Sequence, residues 1–101
     1  MLGIGDVALA TCPGELFTVL ARGIRQASPF PCTLVTPYSN GNLGYIPSRR
    51  DMDELEGLPF REWIDQHKYR WAYGATITTR VAQEAGEMLV EATADLLAAI
   101  R

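Results

Sequence analysis

The hydrophobic period of this chain changes twice within its first 36 residues, and that switch limits the fold more than any other feature. Residues 5–12, Gly-Asp-Val-Ala-Leu-Ala-Thr-Cys, form a short apolar run without clean alternation, the pattern of a strand covered on both faces. Pro13-Gly14 breaks the run. From Glu15 the spacing is helical: Phe17, Leu20, Ala21 and Ile24 fall at i, i+3, i+4 and i+7, with Arg22, Arg25 and Gln26 opposite. Ser28-Pro29 ends that segment, and Cys32-Thr33-Leu34-Val35-Thr36 reads as a second strand that stops at Pro37. Two strands joined by such a helix are most simply parallel. The loop at Pro13-Gly14-Glu15 and the loop from Tyr38 to Ser48 then emerge at the same carboxyl edge of the sheet, where open α/β sheets place their ligands.

The rest of the chain adds helices. Residues 48–75 mix an acidic stretch, Asp51-Met52-Asp53-Glu54-Leu55-Glu56, with Trp63, Tyr69, Trp71 and Tyr73, and read as short helical pieces and irregular structure. Near the end, Leu89, Ala92, Leu96, Ala99 and Ile100 repeat at helical spacing, with Glu84, Glu87, Glu91 and Asp95 on the other side. Gly86 weakens a helix interior, so this helix is expected to start later than Thr79. The expected fold class is therefore α/β: a small β-α-β unit with parallel strands plus a C-terminal amphipathic helix. Residues 1–101 make a single domain, or part of a larger α/β domain.

Charge and composition exclude several partners. A net charge of -3 provides no basic field to gather phosphates, and no Lys/Arg cluster alternates with aromatic residues, which argues against nucleic acid. The longest apolar stretches fall far short of the roughly 20 residues that span a bilayer, so no transmembrane segment is expected. Met1–Asp6 lacks the basic head and long apolar centre of a signal peptide. Cys12 and Cys32 fall at opposite ends of neighbouring parallel strands, too far apart to pair, and are expected to be free thiols.

Candidate chemistry is concentrated in the two edge loops. Glu15 after Pro13-Gly14 can be a carboxylate in a first helical turn, stabilised by the helix dipole, or a carboxylate held at the ligand edge for a metal ion. The loop Tyr38-Ser39-Asn40-Gly41-Asn42-Leu43-Gly44-Tyr45-Ile46-Pro47 contains Gly and Asn residues that tolerate left-handed backbone, but it has neither the dinucleotide fingerprint nor the Walker spacing. His67 is the only histidine, so the chain cannot assemble a His/His/Glu zinc site by itself. No serine sits in a Gly-x-Ser-x-Gly elbow.

In order along the chain, these features resemble the neutral/alkaline ceramidases and their bacterial relatives. The resemblance is carried by the Gly-Asp-x-Ala strand running into Pro13-Gly14-Glu15, by Ser28-Pro29-Phe30-Pro31, and by Asn40-Gly41-Asn42-Leu43-Gly44-Tyr45-Ile46-Pro47-Ser48-Arg49. It continues through Lys68-Tyr69-Arg70, Tyr73-Gly74 and Gly86-Glu87-Met88-Leu89-Val90. Ser48 stands where the family has threonine, and Arg70 where it has glutamate after tyrosine. The resemblance implies the carboxyl-terminal part of a catalytic domain in which zinc activates water to cleave the amide of an N-acylsphingosine, a lipid amide. It also implies Glu15 and Tyr45 as two zinc ligands, two histidines supplied by the preceding part of a longer polypeptide, and no activity for these 101 residues alone. Pro13, Gly14, Asn40, Gly41 and Gly44 would shape the loops. The alternative is a stand-alone noncatalytic α/β module acting through self-association or protein partners.

Overall fold

The computed structural model of the chain describes residues 1–56 and 81–101. The chain opens with a hairpin, β1 (Leu2–Ile4) turning at Gly5-Asp6 into β2 (Val7–Thr11). A two-residue strand β3 (Glu15–Leu16) precedes helix α1 (Thr18–Ala27), which leads to β4 (Cys32–Thr36). Then come β5 (Tyr45–Ile46), helix α2 (Arg49–Glu56) and the final helix α3 (Ala85–Ile100). The main sheet has the order β1-β2-β4, with β1 antiparallel to β2 and β2 parallel to β4 from Val7↔Cys32 to Thr36↔Thr11. A separate parallel ladder joins β3 to β5. The small α/β unit with a parallel pair and a closing helix is therefore present. Trp63, His67, Tyr69, Arg70, Trp71 and Tyr73 lie outside the described residues, and with them the readings placed there.

Three local expectations are corrected. The first strand is not covered on both faces. Ala8 and Ala10 are buried beneath the helices, while Val7 faces outward. The Gly5-Asp6 turn, with Gly5 at a φ of 56°, sends the chain from β1 back as β2 and fixes this alternation. Second, Glu15 does not open the helix. The Glu15 N–H donates to Gly44 O at 2.8 Å and the Phe17 N–H to Ile46 O at 3.1 Å, so these residues belong to a ladder and the helix begins only at Thr18. No acidic residue occupies its first turn, which removes the dipole-capping reading of Glu15.

The third correction concerns the buried face of α3. The large apolar residues suggested Leu89, Ala92, Leu96, Ala99 and Ile100, but the residues turned inward are Gly86, Thr93 and Leu97, with Val90 partly buried between them. Leu96 is 54% exposed and Leu97 is 0% exposed, a rotation of about one residue. Small residues decide it. A Cβ on Gly86 would meet Pro47 O at 2.5 Å and Leu20 Cδ1 at 2.6 Å, and one on Gly23 would meet Val90 at 3.3 Å. Glycine at both contacts lets α3 close onto α1 and onto the segment after β5. As expected, α3 begins well after Thr79, and Glu84, Glu91 and Asp95 remain exposed.

The core lies between the sheet and the two long helices. Ala8, Ala10, Ile24, Phe30 and Leu97 form one cluster, and Cys12, Leu20 and Ile46 a second, with Leu16 and Val90 packed against both. Ser28 stops α1 in an extended conformation, and its Oγ accepts from the Phe30 N–H at 3.2 Å and from Thr33 Oγ1 at 2.6 Å. On the outer face of the sheet, register places Leu2, Leu9 and Leu34 in one row and Ile4, Val7 and Cys32 in the next. Ile4 is 69% exposed and Leu2 and Leu34 are each 53% exposed, so this face presents an apolar surface to solvent. Cys12 is buried and Cys32 exposed, and both are free thiols, as expected.

Candidate functional site

The carboxyl edge of β2 and β4 is built by one segment threaded through another. Beyond β2, Cys12 N donates to Thr36 O at 2.9 Å and Cys12 O accepts from Ser39 N at 2.8 Å. Pro13 O accepts from Leu43 N at 2.7 Å, and Gly14 O from Tyr38 N at 3.1 Å. Residues 12–15 are thus held along their length by the 38–44 loop. That loop reverses direction through left-handed backbone at Tyr38, φ 53°, and Asn40, φ 64°. Asn42 Oδ1 then accepts from Gly44 N at 2.9 Å, and Gly44, at a φ of 79°, presents its carbonyl to Glu15. Gly14 is required for closeness, because a Cβ there would lie 2.8 Å from both Gly44 O and Ile46 Cδ1.

The result is a direct pairing of Glu15 with Tyr45, which are register partners in the β3–β5 ladder. Partners in a ladder project to the same side, so the carboxylate and the phenol share one face. Phe17 packs edge-on against the Tyr45 ring, with centroids 6.0 Å apart and planes at 90°. Burial pushes the Tyr45 phenol upward, and the charge and hydrogen bonding of Glu15 add to the rise. Pro13, Gly14, Asn40, Gly41 and Gly44 all lie in the two wrapped segments, with Gly41 against Pro13 at 3.6 Å for a built Cβ.

A residue that sequence reasoning passed over completes the cluster. Tyr38 Oη donates to Glu15 Oε2, so the carboxylate stands between two phenols. That hydrogen bond, with lesser contributions from burial and from the charge of Glu15 and Tyr45, pushes the Tyr38 phenol up to about 12. The sequence held a faint signal: a tyrosine two residues before Asn40-Gly41, just past the end of a strand whose parallel neighbour leads into Glu15.

This shift gives a pH prediction. An unfolded tyrosine ionises near pH 10. Because the folded Tyr38 phenol is raised, its contribution to stability is complete below about pH 10 and disappears as pH climbs toward about 12. In Glu15→Gln the amide can donate to the phenolate, so Tyr38 should ionise at lower pH than in the native chain. Absorbance titration of tyrosinate checks this. Unchanged titration curves in the variant would show that Glu15 does not hold Tyr38.

Further out, Glu15, Leu16, Phe17, Thr18, Val19, Tyr45 and Asp51 line an open groove of about 390 Å³. Leu16, Phe17 and Val19 are apolar among these, and Glu15, Thr18 and Asp51 polar. Ser48 caps α2, accepting from the Asp51 N–H at 3.2 Å and donating to Asp51 Oδ2 at 2.5 Å. Glu87 of α3 accepts from the Arg49 N–H at 2.9 Å, and Arg49 pairs with Glu84 at 3.3 Å, which ties the groove's far wall to the last helix. Glu87, read as an outward residue, is thus an anchor for the segment that follows Tyr45.

Among the described residues no group of three or more His, Cys, Asp or Glu side chains converges. No helix of the described residues is long and apolar enough to cross a membrane. No protein-family model, curated protein or solved structure matches the chain.

Proposed function

We propose that the chain is the carboxyl-terminal portion of a zinc-dependent amidohydrolase of ceramidase type, with Glu15 and Tyr45 supplying two of the metal's ligands and histidines elsewhere in a longer polypeptide supplying the others. The observation that carries this reading is the β3–β5 register, which sets the carboxylate and the phenol side by side on one face of the ladder. The donor set fits two positions of a zinc shell, and it needs nitrogen ligands to complete it. Bound zinc would polarise an amide carbonyl and activate water. Tyr45, whose phenol is raised by burial and by Glu15, would instead be favoured as a phenolate beside a dication.

This chain's own residues prepare the rest of the site. Apolar Leu16, Phe17 and Val19 beside polar Glu15, Thr18 and Asp51 suit a substrate with an apolar part next to an amide. The uncovered rows Leu2-Leu9-Leu34 and Ile4-Val7-Cys32 offer a surface for the remainder of such a domain to pack on. The same surface favours the second reading, a noncatalytic module that self-associates, because either partner would remove those side chains from water.

Metal analysis after dialysis tests the enzyme reading. The 101-residue chain is expected to lose its zinc, while the longer polypeptide retains about one equivalent and loses it in Glu15→Gln. Tight stoichiometric zinc in the short chain, or zinc in the long one that ignores Glu15, contradicts the proposal.

A further inference from the structure

The helix side of the sheet carries two surfaces of opposite charge that the chain leaves unpaired. α1 has Arg22 and Arg25 and no acidic residue, whereas α3 has Glu87, Glu91 and Asp95 and no basic one. Glu87 is engaged by the Arg49 N–H, and Glu84 by the Arg49 side chain. Arg22, Arg25, Glu91 and Asp95 are exposed, and none of them makes an ion pair among the described residues. Helical spacing sets Arg22 opposite buried Leu20 and Ile24, and sets Glu91 and Asp95 opposite buried Gly86, Thr93 and Leu97. These charges therefore face away from the sheet. Met88, 64% exposed, stands beside the acids.

We propose that a second copy of this chain docks on this layer, with the basic α1 of each protomer lying across the acidic α3 of its partner. Symmetry decides the occupant. α1 and α3 lie side by side and run the same way, because Leu20 meets the Gly86 position and Gly23, one turn further on, meets Val90. A two-fold axis parallel to the helices exchanges left and right without changing height, so α1 of one protomer is set over α3 of its partner and the reciprocal contact forms at the same time. Gly23 is level with Val90, so Arg25 is level with Ala92, between Glu91 and Asp95, and Arg22 falls beside Met88, where its aliphatic stem covers the thioether. The other possible two-fold, perpendicular to the helices, sets arginine on arginine and acid on acid, which like-charge repulsion disfavours.

Charge fixes the register of this contact and makes it self-complementary, since every pair occurs twice across the axis. Exposed ion pairs are individually weak, so the dimer is reversible and salt dependence is its signature. The contact leaves the opposite face of the sheet untouched, and the rows Leu2-Leu9-Leu34 and Ile4-Val7-Cys32 stay open to either use described above. It rests on neither functional reading, and zinc retention does not bear on it.

Sedimentation velocity of the native 101-residue chain tests the contact. A concentration-dependent dimer is expected at low salt, weakened about tenfold or more between about 0.02 M and about 0.5 M salt. R22E/R25E and E91R/D95R should each abolish it. The exchange R22E/R25E/E91R/D95R keeps the net charge at -3 while inverting both helices, so it should dimerise as the native chain does. Ile4→Lys, on the apolar face of the sheet, should leave the dimer intact. A native chain that stays monomeric at about 0.1 mM, an association indifferent to salt, or a folded fourfold exchange that stays monomeric overturns the proposal. So does a dimer lost in Ile4→Lys and kept in R22E/R25E, which moves the contact to the apolar face. If one charge variant unfolds by circular dichroism, the salt dependence and the other pair decide, and a dimer that ignores both refutes the contact.

Discussion

Leu97→Ala is expected to be among the most destabilising single substitutions in this chain, and Leu96→Ala nearly neutral. Leu97 is 0% exposed and lies among Ala8, Ala10, Ile24 and Phe30. Truncating a buried leucine costs about 2–5 kcal/mol, and the cost rises with the cavity that remains. Here the cavity closes poorly, because its sheet side consists of Ala8 and Ala10, whose methyl groups have no reach to fill it. The loss is therefore expected in the upper half of that range, a large share of the ~5–15 kcal/mol that stabilises a domain. Leu96 is 54% exposed, and such a surface change stays within about 0.5 kcal/mol. Thermal unfolding decides between them: Leu97→Ala should lower Tm by on the order of 10 °C or more. If Leu96→Ala is the more damaging, α3 packs through the face that its large side chains suggest and not the one described above.

The Leu96/Leu97 contrast shows where the sequence was legible. Hydrophobic spacing identifies that a terminal helix exists, because polar Glu84, Glu91 and Asp95 segregate from apolar residues. It does not identify the buried face, because the choice turned on Gly86, whose value is its smallness against Leu20 and Pro47. The same distinction runs through the front of the chain. Parallel β2 and β4 followed from the helix between them, since a crossover is what allows matched polarity. The hairpin strand β1 was missed because Leu2-Gly3-Ile4 is too short to show a period, and its pairing is set by the Gly5-Asp6 turn.

At the candidate site, topology was legible and local chemistry only partly so. Bringing the loops of Glu15 and Tyr45 to one edge required no more than parallel strands. Their register as partners depended on backbone hydrogen bonds to Gly44 and Ile46, which no side-chain pattern encodes. Glu15 looked like a helical residue because Phe17, Leu20 and Ile24 keep helical spacing from just behind it, yet the ladder claimed its N–H first. Tyr38 was hidden for a related reason. A tyrosine with left-handed backbone is uncommon, and only the wrapping of one segment around the other turns it toward the carboxylate.

Gly14→Ala is expected to open that wrapping and to separate Glu15 from Tyr45. The added methyl would stand 2.8 Å from Gly44 O and 2.8 Å from Ile46 Cδ1. Neither distance is tolerable, and the two neighbours differ in how they can respond. Ile46 can change rotamer, but it is only 3% exposed and packs with Cys12 and Leu20, so relief there costs core packing. Gly44 O cannot move without lengthening its 2.8 Å bond from the Glu15 N–H, the contact that begins the β3–β5 ladder. We expect a loss of about 1–3 kcal/mol from crowding, with the damage concentrated at the edge. Amide exchange at Glu15 and Phe17 should accelerate strongly, while Ala8 and Ala10 in the main sheet change only as far as global stability falls. Adding Ile46→Val removes the Cδ1 clash and leaves the carbonyl clash, so the double variant should recover part of the stability but not the protection at Glu15. Full recovery of that protection would show that the side chain, and not the backbone approach, enforces glycine at this position. The carboxylate and phenol would then be held together less rigidly than the proposed metal site requires.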